Sequence, residues 1–168
     1  MSLAPPSVVR NESNTPVVTG GHSDEVWRPL ASIASDDSVT VREVNDLGVL
    51  ERYAAAWNRL LRETPGGASY FHSYDWFATY WQHYGADQRM RVLLVLDDGR
   101  LAGIVPLVVV RERTRLGRLR SLRYPLHGWG SFYSPIGRDL RLLLRHALGH
   151  VLSERRDWDL IDITEERL

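Results

Sequence analysis

The sequence predicts a mixed α/β (α+β) domain with a central β-sheet, and three observations carry this prediction. Residues 92–96 form a nearly continuous apolar run, which is typical of a strand covered on both faces. Residues 97–100, Asp-Asp-Gly-Arg, then interrupt the run, and Asp-Gly between apolar runs signals a hairpin because Gly adopts positive φ without steric cost. Amphipathic helical patterns precede and follow this hairpin, so the sheet has helices to cover it.

Composition limits the classes of function. The 168 residues correspond to one ordinary domain, and the formal net charge of zero gives no global field that favours nucleic acid or a membrane surface. There is no cysteine, which excludes disulfides, thiol nucleophiles and thiolate metal sites, and no cluster of His, Asp and Glu has metal-ligand spacing. No apolar run approaches the ~18 residues of a membrane span, and no secretory signal pattern opens the chain. The expected location is the cytoplasm.

The first 38 residues differ in composition from the rest. They are rich in Ser, Pro, Thr, Asn, Gly and Asp and show no hydrophobic periodicity, so residues 1–38 are predicted to be a disordered tail. The domain is then expected to cover residues 39–168.

Three elements are predicted before the hairpin. Alternating valines indicate a short strand that begins at Val39. Residues 46–62 carry apolar side chains at helical spacing, with Asn45 or Asp46 as the N-cap, and form one amphipathic helix. Ser73 is expected to cap a second, strongly aromatic helix that ends at Gly85.

The second strand of the hairpin contains Gly103 and Pro106, so it is predicted to bulge or splay partway along and to let a ligand approach the sheet. A turn at Gly117, a strand over residues 119–124, a glycine-rich loop, a helix over residues 139–156 and a strand over residues 157–164 follow. The resulting order is β-α-α-β-β-β-α-β, in which the last helix can serve as the crossover to a parallel final strand.

Six short pieces of the sequence together resemble a known family. They are FHSYDW at 71–76, WQHYG at 81–85, DGRL at 98–101, IVPL at 104–107, YSP at 133–135 and WDLID at 158–162. In order and spacing they resemble the BioF2-like (CelD-like, cellulose-biosynthesis) acetyltransferase group of the GNAT superfamily, which is related to the FemAB peptidyltransferases.

The resemblance implies a GNAT-like mixed sheet whose C-terminal elements are missing, because the chain ends after what would be the fifth strand. It also implies acetyl-CoA or another acyl-CoA as co-substrate, and transfer of the acyl group to an amine or hydroxyl, such as one on a polysaccharide or envelope precursor. Gly128 and Gly130 match the glycine turn that binds the coenzyme A pyrophosphate. Pro125 departs from the pattern, because the family carries Arg or Gln at that position.

Four further residues are candidates for the chemistry of acyl transfer. His127 is a candidate general base and Tyr133 a candidate proton donor to the leaving thiolate, while His72 and Trp76 are candidates for the acceptor site. Each has a structural alternative: a surface role for His127, a packed ring for Tyr133, a capping or solvent-exposed role for His72, and a core position for Trp76.

Two further alternatives concern partners. The arginines of residues 111–123 are opposed only by Glu112, so they can bind coenzyme A phosphate, an anionic glycan or nucleic acid, or form the solvated face of an edge strand. Zero net charge and the lack of a recognisable module disfavour nucleic acid. The chain can also be a non-catalytic lobe that binds a substrate or a second acyltransferase lobe, for which an exposed sheet edge at the last strand would be evidence.

Overall fold

A computed structural model of the chain describes residues 38–66, 69–115, 117–125 and 134–163. The predicted tail therefore lies outside the described residues, except for Ser38. The strands are β1 (Val39–Val44), β2 (Gln88–Asp97), β3 (Arg100–Thr114), β4 (Gly117–Arg123), β5 (Ile136–Gly137) and β6 (Leu160–Asp162). The α-helices are α1 (Leu47–Glu51), α2 (Ala54–Glu63), α3 (Tyr74–Tyr84) and α4 (Leu140–Ser153), with 3-10 turns at Tyr70–His72 and Gly85–Asp87.

The strands form one mixed sheet, as the sequence predicts. The order is β1-β2-β3-β4-β6, and the two-residue β5 pairs with β3 beside β4. Every described pair is antiparallel except β4 with β6, which runs parallel with Ser121 opposite Leu160 and Arg123 opposite Asp162. Helix α4 lies in the connection between β4 and β6, which confirms the predicted crossover to a parallel last strand.

Helices cover the sheet on both faces, and two neighbouring residues of β1 show this directly. Arg42 donates a hydrogen bond to the hydroxyl of Tyr53, between α1 and α2, at 2.8 Å. Glu43 points to the opposite face, where its carboxylate lies 3.6 Å from Nε2 of His150 on α4. Helix α3 lies on the Arg42 face, because Tyr80 donates to Gln88, which shares that face through the register of β1 and β2.

The central hairpin of β2 and β3 has the predicted turn and the predicted burial. Asp98 and Gly99 have φ of 47° and 76°, the two positive values that a type I′ turn requires. Val92, Leu93, Leu94 and Val95 are completely buried, as expected for a strand covered on both faces.

The predicted bulge in β3 is confirmed beside Gly103, whereas no opening occurs near Pro106 on the edge that pairs with β2. β3 pairs with β2 from Arg100 to Val110, with Pro106 opposite Val92, and its irregularity is a one-residue bulge at Ala102. The interruption lies on the other edge of β3, where β4 reaches Val108 and β5 covers residues 103–104. Pro106 lies in the interval between them, a position that suits a residue with no backbone N–H to donate.

The prediction of one helix over residues 46–62 is also wrong. Asp46 caps it as predicted, its carboxylate accepting from the Val49 amide at 2.9 Å, but the helix breaks at Arg52 and Tyr53. The two parts pack on different strands: α1 contacts β1, whereas α2 contacts β3 and β5. The break thus lets each part bury its own apolar face, with Leu50 and Trp57 both fully buried.

Strand β5 is fixed between α2 and α4. The buried hydroxyl of Thr64 donates to the Leu60 carbonyl and accepts from the Gly137 amide, both at 2.9 Å. Gly137 has φ of 144°, and a Cβ there would lie 2.8 Å from the Ala102 carbonyl oxygen. Only glycine therefore fits this contact.

We expect Gly137→Ala to lower the free energy of unfolding by about 1–3 kcal/mol from backbone strain alone, before any overlap with Ala102 is counted. Urea unfolding followed by circular dichroism measures the change. Gly149→Ala is the matched control, because a Cβ at this helical position on α4 meets nothing within 4 Å. It should raise stability by about 0.5–1 kcal/mol. Equal effects of the two substitutions would contradict this account of Gly137.

Candidate functional site

The candidate site is a notch in the sheet, which we define as residues 105–107 of β3 on the edge away from β2. Among the described residues, no strand pairs with this interval, since β4 ends opposite Val108 and β5 begins opposite Ile104. The carboxyl ends of the parallel strands β4 and β6 both point towards it, because Arg123 lies opposite Val108 and Asp162 opposite Arg123. Crevices outside the carboxyl ends of parallel strands are a common place for ligands to bind.

One hydrogen-bonded pair includes a residue just before β5, the strand that flanks the notch at Ile104. The hydroxyl of Ser134, two residues before β5, lies 3.3 Å from Nε2 of His72. The turn that carries His72 is fixed from the core, because the indole N–H of the fully buried Trp57 donates to the His72 carbonyl at 2.7 Å. Both His72 and Ser134 are half-buried, and Nδ1 of His72 is buried, so only part of the pair faces solvent.

Three aromatic side chains close to His72 in the sequence, Tyr70, Phe71 and Trp76, pack against one another. Ser73 caps α3 as predicted, its hydroxyl accepting from the Trp76 amide at 3.2 Å, so His72 and Trp76 flank the cap. The Trp76 ring meets Phe71 edge-on at 5.0 Å between centroids and Tyr70 at 5.8 Å, and Tyr70 is 62% exposed. The buried indole N–H of Trp76 has no hydrogen-bond partner among the described residues. Trp76 is thus neither a core residue nor a free surface residue.

The structure brings together two of the predicted site residues and leaves four outside its described part. His72 and Trp76 both belong to the candidate site. His127, Gly128, Gly130 and Tyr133 lie outside the described residues, so their predicted roles stay predictions. Ser134 was quoted in a family motif and given no role, and its contact with a histidine 62 positions away leaves no signal in the sequence.

Helix α4 begins shortly after β5, and its N-terminus is already occupied. The carboxylate of Asp139 accepts from the Leu142 amide at 3.0 Å. A carboxylate at this position repels a second anion, so the amides at the start of α4 are not available to bind one.

Burial lowers the pKa of His72 below its ordinary value of 6.5. The folded protein therefore holds His72 neutral near pH 7, and a neutral imidazole can accept a proton from a ligand. Below pH 6.5 the unfolded chain binds a proton at this position more readily than the folded protein does, so stability must fall.

We expect the free energy of unfolding to decrease as pH falls through 6.5 and on towards the lower pKa of folded His72. Urea unfolding at a series of pH values measures this slope, and His72→Gln should remove it. His83→Gln, which replaces an exposed ring on α3, is the control and should keep the slope. A slope that survives His72→Gln would assign the effect to another group.

A second polar cluster lies on the opposite face, and sequence reasoning missed it. The Arg91 side chain is only 3% exposed and holds two carboxylates: Nε to Glu43 at 2.8 Å, Nη2 to Glu43 at 2.5 Å, and Nη1 to Asp157 at 2.9 Å. Burial alone would raise the pKa of Glu43, but the hydrogen bonds and charge of Arg91 outweigh it and lower that pKa. This cluster is an internal ion-pair network that ties β1, β2 and the segment after α4 together.

Comparisons of the chain with protein-family models, with curated proteins and with solved structures find no match. None of the described helices is both long enough and apolar enough to cross a membrane. Within the described ranges, no group of three or more His, Asp and Glu side chains is placed to hold a metal ion.

Proposed function

We propose that this chain is a GNAT-type acyltransferase that moves an acyl group from acetyl-CoA or another acyl-CoA to an amine or hydroxyl, such as one on a polysaccharide or envelope precursor. The observation that carries the proposal is the parallel pair β4–β6 in an otherwise antiparallel sheet, with its carboxyl ends directed at the notch. The six family-like motifs of the sequence also support this proposal.

The reaction needs a group to accept the proton of the acceptor. His72, neutral near pH 7, can take that proton at a ring nitrogen while the new acyl–nitrogen or acyl–oxygen bond forms. The carbon–sulfur bond of the thioester then breaks, and the coenzyme A thiolate leaves with a proton from an acid, the role proposed for Tyr133. His127 is the competing candidate for the base, and Gly128 and Gly130 are proposed to bring backbone amides to the pyrophosphate.

Isothermal titration with acetyl-CoA, followed by thiol release in the presence of a panel of amines and sugars, tests the proposal. We expect saturable heat and acceptor-dependent release of free thiol. Gly128→Asp should remove the heat, because it places a carboxylate where the phosphates would bind. Arg100→Asp adds the same carboxylate at an exposed position beside the β2–β3 turn and should leave the titration unchanged. If the intact chain gives no heat with acetyl-CoA and releases no thiol, catalysis by this chain alone is excluded.

A second candidate function is a non-catalytic lobe that binds another acyltransferase lobe. One observation favours it: β6 is a three-residue strand at the end of the sheet, and its Leu160 is 48% exposed. If the reading frame encodes a further lobe beyond Leu168, footprinting should show Leu160 protected in the longer protein. Protection without any heat from acetyl-CoA would favour this function over catalysis.

A further inference from the structure

Ser134 and His72 have the arrangement of a nucleophile and its base. The serine hydroxyl lies 3.3 Å from Nε2 of the imidazole, although the two residues are 62 positions apart in the chain. A serine hydroxyl is a weak nucleophile unless an adjacent base accepts its proton, and a hydrogen bond between the two side chains is the sign of such activation. Bonds of this kind are often loose before a substrate binds. The transfer reaction proposed above does not need this hydroxyl as a reactant.

Two separate parts of the core hold the backbones of this pair. The indole N–H of the fully buried Trp57 donates to the His72 carbonyl at 2.7 Å. Ser134 stands two residues before the buried Ile136, which pairs with Ile104 of β3. The nucleophile and the base are therefore positioned before any substrate arrives, and such preorganisation lowers the cost of reaching the reactive geometry.

The protonation state of His72 decides what the pair can do. Burial lowers the pKa of His72 below 6.5, so its ring is neutral near pH 7. When the ring proton is on Nδ1, Nε2 accepts a hydrogen bond from the serine hydroxyl. When the proton is on Nε2, that nitrogen donates to the serine, and the hydroxyl can turn to the Pro135 carbonyl at 3.4 Å. Only the first arrangement activates Ser134.

We propose that Ser134 is a nucleophile and that the chain hydrolyses carboxylic esters or thioesters through an acyl-serine. The serine oxygen attacks the carbonyl carbon while Nε2 of His72 takes the hydroxyl proton. The bond to the leaving alkoxide or thiolate then breaks, and that group takes the proton from the imidazolium. Water attacks the acyl-serine, His72 accepts a proton from that water, and the serine oxygen regains it as the carboxylic acid leaves. One ester and one water thus give one acid and one alcohol or thiol.

This hydrolysis goes beyond the proposed transfer reaction and can be tested without coenzyme A. In the transfer reaction the acceptor gives its proton to His72, so Ser134 is not acylated. In hydrolysis Ser134 itself carries the acyl group. A chain that transfers acyl groups and hydrolyses no ester would refute only the hydrolysis, and the reverse result would refute only the transfer.

Incubation of the full chain with 4-nitrophenyl acetate tests the proposal. We expect a burst of 4-nitrophenolate followed by slow turnover, and mass spectrometry after an acid quench should find an acetyl group on Ser134. Ser134→Ala should lose the burst and the adduct, and His72→Gln should lower the rate of acylation by about 10²-fold or more. Ser153→Ala and His83→Gln change exposed residues, so these matched controls should behave like the unmodified chain.

The sequence contains no cysteine, which allows a second measurement. Ser134→Cys introduces a unique thiol beside His72, and an adjacent imidazole promotes formation of the thiolate. We expect iodoacetamide to alkylate this thiol at pH 7 about tenfold or more faster than the thiol of His72→Gln/Ser134→Cys. Equal rates would show that His72 does not withdraw a proton from the side chain at this position.

Other results would also overturn the proposal. An acetyl group found on His72 would make the histidine the nucleophile, and an unchanged burst in Ser134→Ala would assign the reaction to another residue. If the unmodified chain gives neither adduct nor turnover, the hydrogen bond between Ser134 and His72 is a structural contact only.

Discussion

Arg91→Met should lower the free energy of unfolding by about 3–5 kcal/mol at neutral pH, the cost of leaving a buried ionic partner without its counter-charge. The Arg91 side chain is 3% exposed, and the partner carboxylates of Glu43 and Asp157 are only 13% and 19% exposed. Methionine has a similar length and fills the space, so the loss measures charge rather than packing. Urea unfolding measures it, and Arg100→Gln at an exposed position should change stability by no more than about 0.5 kcal/mol.

The loss should shrink in acid, and the sign follows from Glu43. In the unmodified protein its pKa lies below 4.5, so its contribution to stability is present above 4.5 and is lost as pH falls through the folded pKa. In Arg91→Met, burial still raises the pKa of Glu43 and only the smaller effects of Asn45 and His150 oppose it, so we expect protonation to relieve the destabilised carboxylate. Glu43→Gln/Arg91→Met should therefore be more stable than Arg91→Met at neutral pH. If Arg91→Met is as stable as Glu43→Gln/Arg91→Met, then water reaches the Glu43 carboxylate once Arg91 is replaced, and this account is wrong.

His72→Ala should lower the rate of acyl transfer by about 10²–10⁴-fold, the usual contribution of a general base. The prediction rests on the proposed acyltransferase function and on the 3.3 Å contact of Nε2 with Ser134. Thiol release under saturating acetyl-CoA measures the rate, and calorimetry should show that acetyl-CoA still binds. The rate should also fall as pH drops through the lowered pKa of His72, because protonation removes the base.

His127→Ala is the matched comparison, because it removes the other candidate base. If His127→Ala lowers the rate and His72→Ala does not, then His72 is a structural residue of the turn before α3. Ser134→Ala should have a smaller effect than His72→Ala and should shift the pH profile, because Ser134 acts through the histidine.

Local features of the fold could be predicted from the sequence because they depend on nearby residues. The hairpin turn follows from Asp98 and Gly99, whose positive φ a short-range signal specifies. The caps Asp46 and Ser73 are likewise local, since each accepts from an amide three residues later. The burial of β2 follows from its apolar run.

Long-range features could not be predicted in the same way. Arg91 stands at the start of an apolar run, and its partners Glu43 and Asp157 are 48 and 66 positions away. Nothing in the sequence around Arg52 and Tyr53, where no Gly or Pro occurs, marks the break between α1 and α2. Gly103 and Pro106 signalled an irregular strand, but the sequence does not say which edge of the strand is interrupted.

The candidate site likewise contains residues that the sequence predicts and residues that only the structure identifies. His72 and Trp76 were identified because they begin an aromatic helix, a local pattern that the structure confirms. Their neighbour Ser134 required knowledge of how β5 returns to β3, which depends on the Thr64 and Gly137 contact. The arginine cluster was visible in the sequence, whereas the placement of Arg111 opposite Arg120 and of Arg113 opposite Arg118 required the pairing of β3 with β4.

The parallel placement of β6 has a consequence for the order in which the chain folds. The β2–β3 hairpin closes through a two-residue turn, so its ladder can form early from local contacts. β6 has three residues and can pair only after the whole segment from Arg123 to Leu160 has closed. We expect hydrogen exchange to be fastest at the β6 amides and slowest in the hairpin, which would make β6 the last strand to dock and the first to detach.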